Sequence, residues 1–337
     1  MTALAPGTPV TMKSIADELG VSVTTVARAL KGGERISREM VRKVNEAADR
    51  LGYVRNLDAV KLRTGQTFVV MTFLSFTSDE EIGDSGSVGL LNGIHKRLAG
   101  TEYSVRAAPV TMEESSLEMV KKVVTGRNAD GIILDHTTPQ DERVKYLLDA
   151  GMPFVTFGQT DMSEHHAFFD LDNVFAAYQG TKAMLEKGYR RIALLDADKS
   201  YAFVSQRIEG YRQAYAEARL PVEPDLMRHI QMNASDASQA AIDLVRCGAD
   251  AFVCVNELAF LGARAGARRE LGAKAEKLGY SIRSGTNLGA YLGSQISNSY
   301  FSRTEAGRVL ADLLMKRIAG APAAECQQVT RTELRDD

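Results

Sequence analysis

The chain has 337 residues, of which 45% are hydrophobic and 25% charged, and its formal net charge is −2. That length supports a small and a large domain, each with its own core. No apolar run reaches the roughly 18 residues of a membrane span and no leader of basic then apolar residues opens the chain, so a cytoplasmic protein without membrane contact is expected.

Residues 10–65 read as three short helices and a linker. Thr11 can cap a first helix whose stripe is Met12, Ile15, Ala16 and Leu19, and Gly20 ends it. Ser22 can cap a second, with Val26, Ala29 and Leu30 inward and Val23, Thr24, Thr25 and Arg28 elsewhere; Gly32 and Gly33 stop it. A third begins at Ser37, buries Val41, Val44, Ala47, Ala48 and Leu51, and closes at Gly52. This is helix-turn-helix spacing, with the second helix free to enter a major groove. The stretch carries eleven Lys and Arg against seven Asp and Glu, while the rest of the chain is acidic. A basic head on an acidic body suits phosphate contact by one end only.

The head resembles that of the LacI/GalR family of bacterial transcription regulators. The resemblance rests on Val21-Ser22-Val23, Thr25-Val26, Arg28, Leu51-Gly52-Tyr53, Asn56, Ala59, Leu62 and Arg63-Thr64-Gly65, and extends more loosely to about Gly320. By position it implies that Val23, Thr24 and Arg28 face base edges, with Arg28 two-pronged on guanine. Ser22, Thr25, Ser37 and Tyr53 would grip phosphates, beside Thr11 at the head's first cap. Ala27 and Lys31 depart from the family string. Residues 56–62 are too few for a stable isolated helix and are expected to order only on DNA or against a partner hinge. There Asn56, Ala59 and Leu62 match hinge positions, Leu62 as a minor-groove wedge, whereas Asp58 and Val60 depart from the family.

Beyond Gly65, strand-like runs at 68–74, 131–134, 154–157, 191–195 and 251–255 alternate with helix-length segments. That rhythm predicts doubly wound parallel sheets. A second sheet is expected to open with a strand at 168–171 and a helix at 172–188, and the chain to cross back near Tyr291. The resemblance implies a bilobed, periplasmic-binding-protein-like α/β body. The expected division is a helix-turn-helix head at 10–55, a hinge helix and linker at 56–65 and a body at 66–325, its first lobe 66–160 plus 292–325 and its second 161–291.

Ser75, Asp135, His136, Gln159, Asp196, Asp198 and Asn256 follow strand ends, where loops open into a cleft. Arg207, in the string Arg-Ile-Glu-Gly-Tyr, and Asn256 also match family effector positions. Ser75, His136, Gln159, Arg207 and Asn256 are the effector-site candidates. Gly158-Gln159 stands where the family often has Asp-Arg, Glu257 replaces a common Asp, and residues 281–291, SIRSGTNLGAY, lack a frequent acidic pair. Groups that donate and accept suit a sugar or polyol.

Residues 86–93, GSVGLLNG, lack the Lys-Ser/Thr of a phosphate-binding loop, and no nucleophile elbow, dinucleotide fingerprint or zincin string occurs. His165-His166 reads as a surface loop, and Cys247, Cys254 and Cys326 as buried or incidental thiols. The expectation is no enzyme, no cofactor and no metal, but a repressor of carbohydrate-utilisation genes. It would bind a pseudo-palindromic operator in double-stranded DNA as a homodimer, under a small-molecule effector, and no leucine heptads follow Ala321 to add a tetramerising tail. A solute-binding protein and a sugar-modifying enzyme are the alternatives; the first leaves the basic head without a role, the second lacks a chemical constellation.

Overall fold

The computed structural model describes residues 10–33, 35–55, 57–75, 85–110, 115–286, 291 and 296–336, with the backbone alone at 57–59, 63, 74, 75 and 85. The chain divides into two compact units at Thr67–Phe68.

Hydroxyl residues set the starts of the head helices α1 (Met12–Leu19), α2 (Val23–Ala29) and α3 (Arg38–Leu51). Thr11 and Ser14 form a reciprocal capping box, Ser22 Oγ accepts from Thr25 N at 3.1 Å, and Ser37 Oγ accepts from Met40 N at 3.2 Å. Gly20 and Gly52 end α1 and α3 at φ of 64° and 70°, a region that favours glycine. Ile15, Ala16, Val26, Ala29, Val44, Ala47 and Ala48 make the core. Within the hinge segment, where a hinge helix and linker were expected over 56–65, residues 57–64 are helical, as α4 (Leu57–Thr64). Its last turn is closed locally: Thr64 Oγ1 donates to the Val60 carbonyl at 2.8 Å, and Gly65 follows at φ 77°. Asn56 lies outside the described residues.

In the body, the first lobe begins with β1 (Val69–Ser75), α5 (Ser85–Leu98), β2 (Ser104–Val110), α6 (Ser116–Thr125), β3 (Gly131–Leu134), α7 (Glu142–Asp149), β4 (Phe154–Phe157) and β5 (Phe168–Leu171). The second holds α8 (Asn173–Glu186), β6 (Ile192–Ala197), α9 (Ala202–Glu217), β7 (Met227–Ile230), α10 (Ala234–Arg246), β8 (Ala251–Cys254), α11 (Glu257–Leu271), β9 (Gly279–Ser284) and β10 (Ile296–Tyr300). Then come α12 (Arg303–Ile318), β11 (Gln327–Thr330) and β12 (Glu333–Asp336). Among the described residues these strands form two six-stranded sheets, β11-β5-β4-β3-β1-β2 and β12-β10-β9-β8-β6-β7, parallel except for β10 with β12. Strands β3, β6 and β8 are buried along their whole length, as helices on both faces of a parallel sheet require.

Two expectations are corrected. The strand at 168–171 pairs with β4 and belongs to the first sheet, so the chain crosses after Leu171 rather than after Gln159. It returns after Tyr300, not near Tyr291, because β10 pairs with β9, and α12 packs on α5 in the first lobe. A strand followed by a helix reads alike whichever sheet it joins; long-range pairing decides. The last strands, β11 and β12, lie beyond the expected boundary at 325 and tie the chain end into both sheets. Strands β9 and β10 escaped the sequence reading because buried Ser281, Ser297, Asn298 and Ser299 interrupt their apolar runs.

Helices also approach closely. A Cβ on Gly210 would lie 2.0 Å from the Val174 carbonyl oxygen, and one on Gly307 would lie 2.0 Å from that of Leu90. Glycine there lets α8 meet α9, and α5 meet α12, backbone to backbone. In both sheets the strand order reverses direction beside the first strand, β1 or β6, which places a crevice at the strand C-terminal ends.

Candidate nucleic-acid interface and ligand cleft

On the head, Val23 is 42% exposed, an unusual cost for an apolar side chain at a helix start, and Thr24 and Arg28 beside it are exposed. Ser22 and Thr25 share a hydroxyl bond of 2.9 Å, which uses one of their two protons. The other is uncommitted among the described residues, at an N-terminus whose amides already favour an anion. Ser37 is likewise exposed at the start of α3 and Thr11 at that of α1, while Tyr53 is half-buried. Leu62 is 89% exposed, with no core role. The side chain of Ala59 lies outside what is described.

In the body, a cavity of about 680 Å³, open solvent at its mouth included, lies between the lobes. Its wall includes three residues with positive φ: His136 at 51°, Gly158 at 114° and Met232 at 56°. Non-glycine residues hold such angles only where neighbours fix them. At 135–136 the neighbour is Arg143, whose Nη2 donates to the Asp135 and His136 carbonyls at 3.0 and 3.2 Å and to Asp141 Oδ2 at 2.7 Å. His136 Nδ1 stands 3.1 Å from Asp135 Oδ2. Burial pushes the Asp135 carboxyl up, but His136, Arg143 and Arg303 together outweigh it and hold the group below the ordinary carboxylate range. Its Oδ1 is buried with no hydrogen bond among the described residues.

The effector candidates separate into wall and scaffold. His136 and Asn256 line the cavity. Asn256 Oδ1 also caps α11, accepting from Ala259 N at 2.8 Å. Gln159 stands behind the wall, donating from its backbone and its Nε2 to Asp170 Oδ2, both at 3.2 Å. Asp170, which does line the cavity, is pushed up by burial in spite of those donors. Arg207 is 1% exposed and its Nε bonds both oxygens of equally buried Asp196, at 3.1 and 2.9 Å. Asp196 is therefore strand core rather than loop, and Nη2 of Arg207 is buried without a hydrogen bond among the described residues. Asp198 is an exposed turn residue, accepting from Ser200 N at 2.9 Å, and the side chain of Ser75 is outside what is described.

Sequence reading missed Phe157, Asp170, Asn173, Phe203, Met232, Arg283 and Arg303, all on the wall. Arg283 had a signal, a cation inside a strand of small and apolar residues. Glu257, the departure from the family's Asp, has Oε1 accepting from Gly285 N, Thr286 N and Thr286 Oγ1 at 2.9, 3.2 and 3.0 Å, which anchors the turn after β9. The lobes touch beside the cavity: Ala202 N donates to the Thr137 carbonyl at 2.9 Å, and the His136 and Tyr201 rings stand 5.7 Å apart.

His166, expected in a surface loop, is instead 4% exposed, hydrogen-bonded to Thr160 at 3.0 Å and stacked on Phe154; burial lowers its pKa. Among the described residues no group of three or more His, Cys, Asp and Glu could hold a metal, and no helix is long and apolar enough to cross a membrane. Cys254 and Cys326 are buried and Cys247 exposed, all three free.

A family model described as bacterial regulatory proteins, lacI family, matches residues 11–56, and one described as periplasmic binding proteins and sugar binding domain of LacI family matches residues 81–332. The HTH-type transcriptional regulator RafR of Escherichia coli is 28% identical over 96% of both chains. MalR of Streptococcus pneumoniae is 30% identical over 64% of this chain, and the chain spans 65% of that relative's length. Among solved structures, a complex of the transcriptional regulator CelR with cellobiose covers 97% of this chain and 98% of its own at a TM-score of 0.72 and 22% identity. The lac repressor dimer bound to operator and the anti-inducer ONPF covers 98% of both at 0.75 and 18%. At such identities these structures speak to fold alone, and the head, the two sheets and the cleft between them agree with it. With one model on the head and the other over most of the body, the chain belongs to the LacI family of bacterial regulatory proteins.

Proposed function

We propose that this chain is a sequence-specific transcriptional regulator in the cytoplasm, a repressor of carbohydrate-utilisation genes. It binds a pseudo-palindromic operator as a homodimer and responds to a small polyhydroxylated effector held between the lobes. The observation that carries this reading is the pairing, in one chain, of an exposed helix-turn-helix face with a cleft lined by both polar and apolar side chains. One head covers only a half-site, so two-fold symmetry in protein and operator follows. Val23, Thr24 and Arg28 read bases; Thr11, Ser22, Thr25, Ser37 and Tyr53 face the backbone; Asn56, Ala59 and Leu62 form the hinge contact. His136 and Asn256 meet the effector directly, Gln159 positions Asp170, Arg207 offers its free edge, and Ser75 contributes from the C-terminal end of β1. The matches of head and body to LacI-family models, and of almost the whole chain to a relative that is a transcriptional regulator, favour this reading over an enzyme or a solute carrier.

Selection of DNA from a random pool tests it. The expected result is one pseudo-palindrome whose affinity falls steeply with salt, by roughly a thousandfold or more between 50 and 200 mM if six or more phosphates are contacted. Leu62→Ala should weaken binding to that site and reduce its bend. Selection of no sequence would sink the proposal, and unchanged bending by the variant would remove the wedge role.

A further inference from the structure

Two guanidinium groups reach the cavity, one from each lobe, and neither meets a carboxylate. Arg283, on β9, lies over the Phe203 ring at 5.7 Å; Arg303, the first residue of α12, lies over Phe157 at 5.2 Å. Neither side chain is hydrogen-bonded or ion-paired among the described residues, and Arg283 Nε is buried. Most nearby acids are occupied, Glu257 Oε1 by the 285–286 turn, Asp196 by Arg207, and Asp170 by Gln159, Leu171 and Asn173, while Asp135 feels the charge of Arg303 without an ion pair or hydrogen bond to it. Aromatic faces relieve a buried cation only in part, and an unpaired charge away from water is strongly unfavourable. Burial, with the positive charges of Arg303 and Arg207, brings the Arg283 pKa down to about 9, still protonated at neutral pH.

We propose that the effector is an acidic polyol, a sugar-like body bearing a carboxylate or phosphate, whose oxyanion Arg283 and Arg303 clamp from opposite lobes. This rests on the reading of the cleft as the effector site. Guanidinium is the side chain suited to planar, two-pronged oxyanion recognition. The buried, unpartnered Asp135 Oδ1 supplies an acceptor for a hydroxyl and keeps the anion away from its own part of the wall. Like charges on the two lobes repel until an anion lies between them, so ligand charge itself favours the closed arrangement.

Calorimetric titration of the full chain with glucose, glucuronate and glucose 6-phosphate, and with the galactose counterparts, tests the proposal. An acidic member should bind at least tenfold tighter than its neutral parent, and the uronate and phosphate arms separate the two oxyanions. Arg283→Met should collapse that preference towards one, while the unliganded variant melts no lower than wild type because a buried unpaired cation is gone. Equal or tighter binding of the neutral sugars, or an acid preference untouched by Arg283→Met, overturns the proposal while leaving the cleft as a sugar site. Failure of every compound to bind a protein that still selects its operator overturns the cleft reading with it.

Discussion

Arg207 shows how far a residue's type can be read and where its surroundings take over. Its match to a family effector position suggested a ligand contact, yet its Nε is spent on Asp196 in the core. Loss of ligand response on mutating Arg207 alone would therefore mix two causes. Arg207→Met should cost about 3–5 kcal/mol by leaving Asp196 buried and unpaired, and adding Asp196→Leu should restore most of it; urea midpoints of both variants check this, and a double variant no more stable than the single would contradict the pairing. Asp135 gives a pH-dependent counterpart. Its pKa lies below the unfolded value, so its contribution is present above about pH 3.8 and lost as pH falls through the lowered value. The stability gap between wild type and Asp135→Asn should accordingly narrow in acid, and a gap constant from pH 7 to pH 2 would show that the His136 and arginine contacts do not favour the charged form. Asp135 and His136 were legible as loop residues after a strand. Arg283 left only the trace of a cation among small and apolar residues and Arg303 left none, because their significance lies in what they fail to pair with, which local spacing does not record.

At the scale of elements, caps and periodicity carried the head well, since Thr11, Ser22, Ser37, Gly20 and Gly52 act within three or four residues of themselves. In the hinge, α4 falls within the expected hinge segment and finishes at Thr64 with a side-chain bond and a left-handed glycine, local features that a propensity argument does not count. In the body, strand β5 and the polar strands β9 and β10 needed partners distant in sequence before their sheet could be known. Gly210, in the string that carries Arg207, has its own role at the α8–α9 crossing. Gly210→Ala would gain about 1 kcal/mol of helix propensity, but a methyl 2.0 Å from the Val174 oxygen forces two backbones apart. Overpacking of that kind costs typically 1–3 kcal/mol, and more where backbone must shift, so net destabilisation and a lower melting temperature are expected. A stabilised variant would mean that the helices separate without strain.

For the whole molecule, three chain crossings join the lobes: after β5, after β10, and between β11 and β12. Ligand between the lobes can thus bias their arrangement while each sheet stays intact, and linkage requires any effect of ligand on DNA binding to be matched by an equal effect of DNA on ligand binding. The direction, release or recruitment, is set by which arrangement the head prefers. The decisive measurement is operator affinity at fixed salt, with and without a saturating amount of the tightest compound from the sugar and sugar-acid panel. The account predicts a change of at least about tenfold, equivalent to 1.4 kcal/mol, and the same factor in ligand affinity when operator is saturating. Operator affinity that stays constant while the ligand demonstrably occupies the cleft would contradict it.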